Sequence, residues 1–186
     1  MTKTKIILGS KSPRRLDILE DAGFEVEVVK PNVVEQFPYN LNFHKVPEYI
    51  SKLKIWDVYS YLGNDDDFII CADTVVIFNG KLLGKPRTLE QAFKYLKALN
   101  GKSHEVVTGV SMRKKKKQIS FSEQAIVHFK ELTTEEIIKY IEVGNPMDKA
   151  GAYNIEEYFG VEKIEGEYQN VMGLPIKRIL QEIKNW

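Results

Sequence analysis

Short unbroken apolar runs alternate along this chain with segments whose apolar residues return every three or four positions, the pattern of strands covered by helices. Ile6-Ile7-Leu8 is the first run and ends at Gly9. Ser12 followed by Pro13 marks a helix start, with Leu16, Leu19 and Ala22 on one face and Gly23 as the stop. Residues 25–29 alternate charged and apolar side chains and predict a second strand, whereas residues 31–47 hold three prolines and no clean period and predict a loop. Ile50, Leu53, Trp56 and Tyr61 then repeat at helical spacing over 48–62, and Gly63-Asn64 supplies the stop before an acidic linker at Asp65 to Asp67.

The run 68–72 predicts a buried strand that Asp73-Thr74 interrupts; residues 75–78 resume it, and Asn79-Gly80 predicts a hairpin turn. Thr88 with Gln91 fits a capping box ahead of the stripe Leu89, Ala92, Phe93, Leu96 and Leu99, closed by Asn100-Gly101. Residues 104–112 and 118–129 predict an antiparallel hairpin with the basic run Arg113 to Lys117 at its tip. Thr133 with Glu136 opens a helix through Ile141 toward Gly144, and residues 175–186 predict a closing amphipathic helix. The sum is a mixed α/β protein, and 186 residues fit one domain.

Composition narrows the function classes. With 43% hydrophobic and 28% charged residues the chain is an ordinary globular one, and its formal charge of +1 lacks the basic excess of a nucleic-acid binder. An anionic ligand then needs a local cluster of cations, which suits a small phosphorylated molecule. Cys71 has no second thiol for a disulfide or a zinc pair, and the amino terminus has neither a signal-peptide core nor a membrane span, so a cytoplasmic setting without membrane contact is expected.

Four segments carry candidate chemistry. Arg14 and Arg15 stand in a first helical turn where the macrodipole disfavours cations, which makes sense if an anion docks there; two arginines turned to solvent explain the residues equally well. Gly9, Ser10 and Ser12 would let such a ligand approach the backbone. Asp73, between apolar runs, suits a metal ligand or water-orienting carboxylate, although a capped turn is the commoner explanation. Gly84-Lys85-Pro86-Arg87 is no P-loop, yet the hairpin at Gly80 could fold its cations back toward Asp73. Residues 146–153 read as a compact loop, Arg113 to Lys117 as a hairpin tip that blocks edge pairing, and His44, His104 and His128 have no metal-ligand spacing.

In order and spacing, Leu8-Gly-Ser-Lys-Ser-Pro-Arg-Arg15, Ala72-Asp-Thr-Val75, Gly84-Lys-Pro-Arg87, Asp148-Lys-Ala-Gly-Ala-Tyr153 and Asn170-Val-Met-Gly-Leu-Pro175 resemble the motifs of the Maf family of nucleotide pyrophosphatases, over essentially the whole chain. The resemblance implies an elongated mixed sheet flanked by helices, two lobes around a cleft, a relation to the inosine triphosphate pyrophosphatase fold, and frequent homodimers. It places Ser10, Arg14, Arg15, Lys54, Lys85 and Lys149 on substrate phosphates, and Glu35 and Asp73 on Mg²⁺ or Mn²⁺ and the attacking water. Arg14 and Thr74 match the subgroup similar to dTTP and UTP pyrophosphatases, whereas Glu156 matches the one acting on 7-methyl-GTP. The implied activity is release of pyrophosphate from a nucleoside triphosphate; a non-catalytic nucleotide-binding regulator of cell division is the competing expectation.

Overall fold

A computed structural model describes residues 4–186; residues 1–3, part of the stretch read for a signal segment, lie outside it. The elements run β1 (Lys5–Gly9), α1 (Pro13–Asp21), β2 (Glu25–Val28), α2 (Val46–Leu62), β3 (Ile69–Phe78), β4 (Lys81–Leu83), α3 (Leu89–Leu99), β5 (Ser103–Lys114), β6 (Lys117–Phe129), α4 (Thr134–Val143), β7 (Val161–Glu165), α5 (Tyr168–Met172) and α6 (Ile176–Lys184). One mixed sheet has the order β2-β1-β3-β5-β6-β7, with β4 also paired to β3. β2, β1 and β3 are parallel, and β5, β6 and β7 continue antiparallel. The expected mixed α/β sheet with flanking helices is therefore present.

β3 organises the molecule, and it corrects the sequence reading at Asp73-Thr74. The strand is continuous through both residues, because β5 pairs with it without a break from Ile69 to Ile77. The interruption lies on the opposite edge. There β1 pairs with Ile69–Cys71 and β4 with Val76–Phe78, so residues 72–75 have no strand beside them. β1 and β4 diverge at this gap, each leading into a loop, the arrangement that makes crevices in α/β sheets. The side-chain period of 2 then sends Asp73 to the face that carries Ile69 and Cys71, and Thr74 to the face that carries Ile70 and Ala72.

Two large apolar clusters sit at opposite ends of the long strands. One gathers Ile6, Leu8, Ile70, Val110, Met112 and Ile179; the other gathers Val76, Leu96, Val127, Phe129, Ile137 and Tyr140. A third, smaller cluster lies under α2 with Ile7, Ile55, Val58, Ile69 and Cys71. Asp73 thus occupies the face covered by α2, and Thr74 the face covered by α1.

The buried stripe of α2 differs from the expected one. Trp56 is 51% and Tyr61 80% exposed, while Ile50, Ser51, Lys54, Ile55 and Val58 are buried. The i,i+4 series 46, 50, 54, 58 faces the sheet, and a lysine lies in the middle of it. Gly109 on β5 permits this seating, since a Cβ there would land on the backbone of Pro47 and Glu48. On α1 the buried residues are Arg15, Ile18 and Leu19, with Leu16 only partly covered, so the expected stripe is rotated by one position.

Turn and cap chemistry follows the sequence closely. Asn79 and Gly80 both take positive φ in the β3–β4 turn. Thr133 and Glu136 form a complete capping box. At α3 the box is half formed: Thr88 accepts from the Gln91 N–H, but the Gln91 side chain reaches the Arg87 N–H instead. β7 and α5 went unread, being short and without clear periodicity.

Candidate active site

Ser12 occupies the N-cap position of α1 with no side-chain cap bond, and no acidic residue stands in the first turn, so the helix presents open N–H groups to the cleft. Arg14 and Arg15 follow each other and point about 100° apart, as successive helical residues must. Arg15 turns inward. Its Nε donates to the Gly173 carbonyl at 2.7 Å, Nη1 to the Ala72 carbonyl at 2.9 Å and to Ser10 Oγ at 3.2 Å, and Nη2 to Thr74 Oγ1 at 3.0 Å. Four of its five N–H groups are committed. Arg15 thus satisfies the carbonyl that the gap in the sheet leaves without a strand partner. Burial lowers its pKa, and the neighbouring Asp73 carboxylate works against that shift. Neither arginine therefore turns to solvent, and Arg15 is braced within the protein by its contacts to Gly173, Ala72, Ser10 and Thr74. Arg14 lines the cleft, its Nη1 donating to Asn154 Oδ1 at 3.0 Å.

On the other face, the buried lysine of α2 reaches Asp73. Lys54 Nζ lies 2.7 Å from Asp73 Oδ1 and 2.8 Å from Glu35 Oε1, so one ammonium bridges both carboxylates. Desolvation raises the Asp73 pKa; Lys54, then Arg15, oppose it, and the net shift is upward. For Glu35, burial also acts upward, but the hydrogen bond and charge of Lys54, with Lys85 and Arg15 behind them, outweigh it and the net shift is downward. Two carboxylates within 3 Å of the same cation are therefore driven apart in proton affinity, as acid–base chemistry requires.

A cleft of about 690 Å³ opens over the gap. Lys85 and Arg87 approach from the end of β4, and Lys149 from the Pro146–Asp148 turn, so these cations converge with Arg14 and Lys54 as the folded-back hairpin suggested. Lys149 is held by Asp148 at 2.6 Å. The Gly151 N–H donates to the Gly84 carbonyl, tying the two cationic loops together. Residues 146–152, expected to be a loop, form two 3-10 turns, with Gly151 and Ala152 at positive φ.

Proton accounting separates the hydroxyls. Thr108 Oγ1 donates to the Asn170 carbonyl, so Thr74 Oγ1 must donate to Thr108 while accepting from Arg15. Thr74 has no proton left for a ligand. Ser10 Oγ accepts from both the Ser12 N–H and Arg15, which leaves its own proton free for an anionic oxygen. Glu156 is exposed and stands outside the cleft lining. Asn154, two positions earlier and unread in the sequence, is instead the residue that meets Arg14. Only its neighbourhood to a small-residue motif could have flagged it.

A group of cations, a desolvated carboxylate and a helix N-terminus meet where β1 and β4 part, along a chain whose residues 5–186 match the Maf-like protein family model. The chain belongs to the Maf-like family. It is 40% identical to a dTTP/UTP pyrophosphatase of Porphyromonas gingivalis, covering 100% of this chain and 96% of that one. It is 42% identical to the dTTP/UTP pyrophosphatase of Bacteroides thetaiotaomicron and 43% identical to that of Phocaeicola vulgatus, each covering 99% of this chain and 97% of the relative. The Staphylococcus aureus Ham1 protein has the same fold, with a TM-score of 0.54 at 14% identity over 98% of each chain. Among the described residues no helix is long and apolar enough to cross a membrane.

Proposed function

We propose that this Maf-like protein hydrolyses dTTP and UTP to the monophosphate and pyrophosphate. The observation that carries this reading is Asp73: a carboxylate desolvated in mid-strand, its pKa raised, facing a cleft ringed by cations. Its relatives' activity supports the same substrates. Glu156, the residue that pointed to 7-methyl-GTP, lies exposed outside the cleft lining, which favours the pyrimidine reading.

A triphosphate brings several negative charges that must be balanced before water can approach the α-phosphorus. Lys85, Arg87, Lys149 and the α1 N-terminus supply fixed positive charge along the cleft, and Ser10 donates its free proton to a phosphate oxygen. Arg14 reaches the ligand from the Asn154 side, while Arg15 holds Thr74 and the Ala72 carbonyl in place. Asp73, with proton affinity above that of an ordinary carboxylate, orients the water and takes its proton.

The donor set fits Mg²⁺ or Mn²⁺. Asp73 and Glu35 present hard oxygens that already converge on a single cation, Lys54 Nζ, and Mg²⁺ is commonly held by one or two carboxylates completed by substrate phosphates and water. Among the described residues no group of three or more His, Cys, Asp or Glu could hold a metal, and substrate phosphates and water would complete the shell of an ion held by Asp73 and Glu35. When bound, the ion would neutralise phosphate charge and lower the pKa of water. The reading includes one domain, a cytoplasmic setting and a homodimer. The lone, fully buried Cys71 supports the setting. Arg113, committed to the Trp56 and Tyr59 rings and to Asp65, supports the absence of nucleic-acid binding.

The test is pyrophosphate release from dTTP, UTP, CTP and 7-methyl-GTP with Mg²⁺ or Mn²⁺, for the wild type and Asp73→Asn. Pyrimidine turnover that falls by roughly 100-fold or more in Asp73→Asn, with nucleotide binding retained, is the expected result. Preference for 7-methyl-GTP overturns the substrate, and near-normal turnover by Asp73→Asn overturns the mechanism. No release from any nucleotide, with binding intact, leaves the regulator reading.

A further inference from the structure

Residues 29–38, which follow β2, run without regular structure along the cleft, and the segment is anchored twice. The Asn32 N–H donates to Asp57 Oδ2, and Glu35 is held by Lys54. Two residues beyond Glu35, Phe37 lines the cleft, as do Val33 from the same segment and Val46 and Ile50 from α2. Phe37 is half-buried, yet it belongs to none of the three apolar clusters of the core and forms no aromatic pair among the described residues. A phenyl ring withdrawn from bulk water but not spent on the core needs a flat apolar partner. Among the described residues the only other aromatic ring in the cleft wall, Tyr153, is already occupied. It is buried, its hydroxyl pairs with His104 Nε2 at 2.7 Å, and its ring meets His104, Phe129 and Tyr158.

We infer that Phe37 is the stacking platform for the nucleobase, an affinity-determining contact that holds the base while the adjoining Glu35–Lys54–Asp73 bridge faces the phosphates. This rests on the proposed nucleotide-hydrolase reading. The partner is a planar base; stacking takes either pyrimidine face, so Phe37 strengthens dTTP and UTP alike and leaves the choice between them to hydrogen-bonding groups. Removing the ring weakens the ground state and the transition state together, which raises KM and leaves kcat in place.

Three variants test it: Phe37→Ala, Phe37→Leu, which keeps apolar bulk without a π face, and Phe37→Trp. KM for dTTP and UTP should rise by roughly 5- to 150-fold in Phe37→Ala, the range that one base–aromatic stack corresponds to. Phe37→Leu should fall between, and Phe37→Trp should restore KM and lose fluorescence on adding dTTP. Inhibition by inorganic tripolyphosphate, which has no base, should be unchanged in all three. An unchanged KM in Phe37→Ala overturns the inference, as does a parallel loss of tripolyphosphate inhibition, which would mean that the ring merely shapes the phosphate end. If the wild type turns over no nucleotide, calorimetry with dTTP and tripolyphosphate makes the same comparison. A loss confined to dTTP supports Phe37 while the hydrolase reading falls; equal losses, or none, overturn Phe37 by itself.

Discussion

Replacing Lys54 with Met probes the centre of the site through folding stability, independently of any substrate. The side chains of Lys54 and Asp73 are 9% and 15% exposed, so their pair is a buried one. Removing one partner of such a pair costs about 3–5 kcal/mol, because the remaining charge is left desolvated. Arg15 still contributes a favourable field at Asp73, and Glu35, the other carboxylate released, is more than half exposed, which puts the expected loss near the lower end, about 3 kcal/mol. The loss must also depend on pH. A carboxylate whose folded pKa lies above its unfolded value binds a proton more tightly in the folded state, so stability is lost as pH rises from about 4 through the folded pKa. Asp73 is already shifted upward, and without the Lys54 ammonium the opposition to that shift weakens and the window extends higher. Urea unfolding followed by circular dichroism, with chelator present, should show Lys54→Met losing about 3 kcal/mol at pH 8 and much less at pH 5. Asp73→Asn added to Lys54→Met should recover most of the loss at pH 8. A deficit equal at both pH values, or a double variant as unstable as the sum of the singles, would refute the desolvated-pair account.

Asn154→Ala should raise KM by roughly 10-fold with little change in kcat, because it removes a hydrogen bond from the Arg14 guanidinium of the order of 1.5–3 kcal/mol, part of which water restores. Steady-state kinetics checks it, and an effect confined to kcat would exclude a role in placing Arg14 for binding. Gly109→Ala should destabilise the fold by at least about 2 kcal/mol in denaturant titration, since its methyl would meet the backbone of Pro47 and Glu48 and no side chain can swing aside. Activity should fall with it, because α2 carries Lys54.

Much of the local architecture was legible in the chain because the interactions responsible span only a few residues. Ser12-Pro13, Gly63 at φ 63°, Asn79-Gly80 and the Thr133–Glu136 box act over a turn or less, and each appears where the sequence places it. The order of the cationic and acidic motifs was equally visible. What each charged side chain does was not. Arg15 is committed to Gly173, 158 residues away, and Lys54 to Asp73, 19 residues away, and no local pattern encodes either contact. Hydrophobic periodicity assigned Trp56 and Tyr61 to the buried face of α2, and the sheet instead selected the stripe that carries Lys54, because Gly109 lets that face approach. The apparent break at Asp73 was a real signal of the wrong object: β5 keeps the strand whole, while β1 and β4 part on its other edge. The sequence by itself determined the longer elements, most of their caps and the inventory of charges. Tertiary structure decided which charges are desolvated, which are paired and which face the cleft, because desolvation and pairing depend on residues that only the folded sheet brings together.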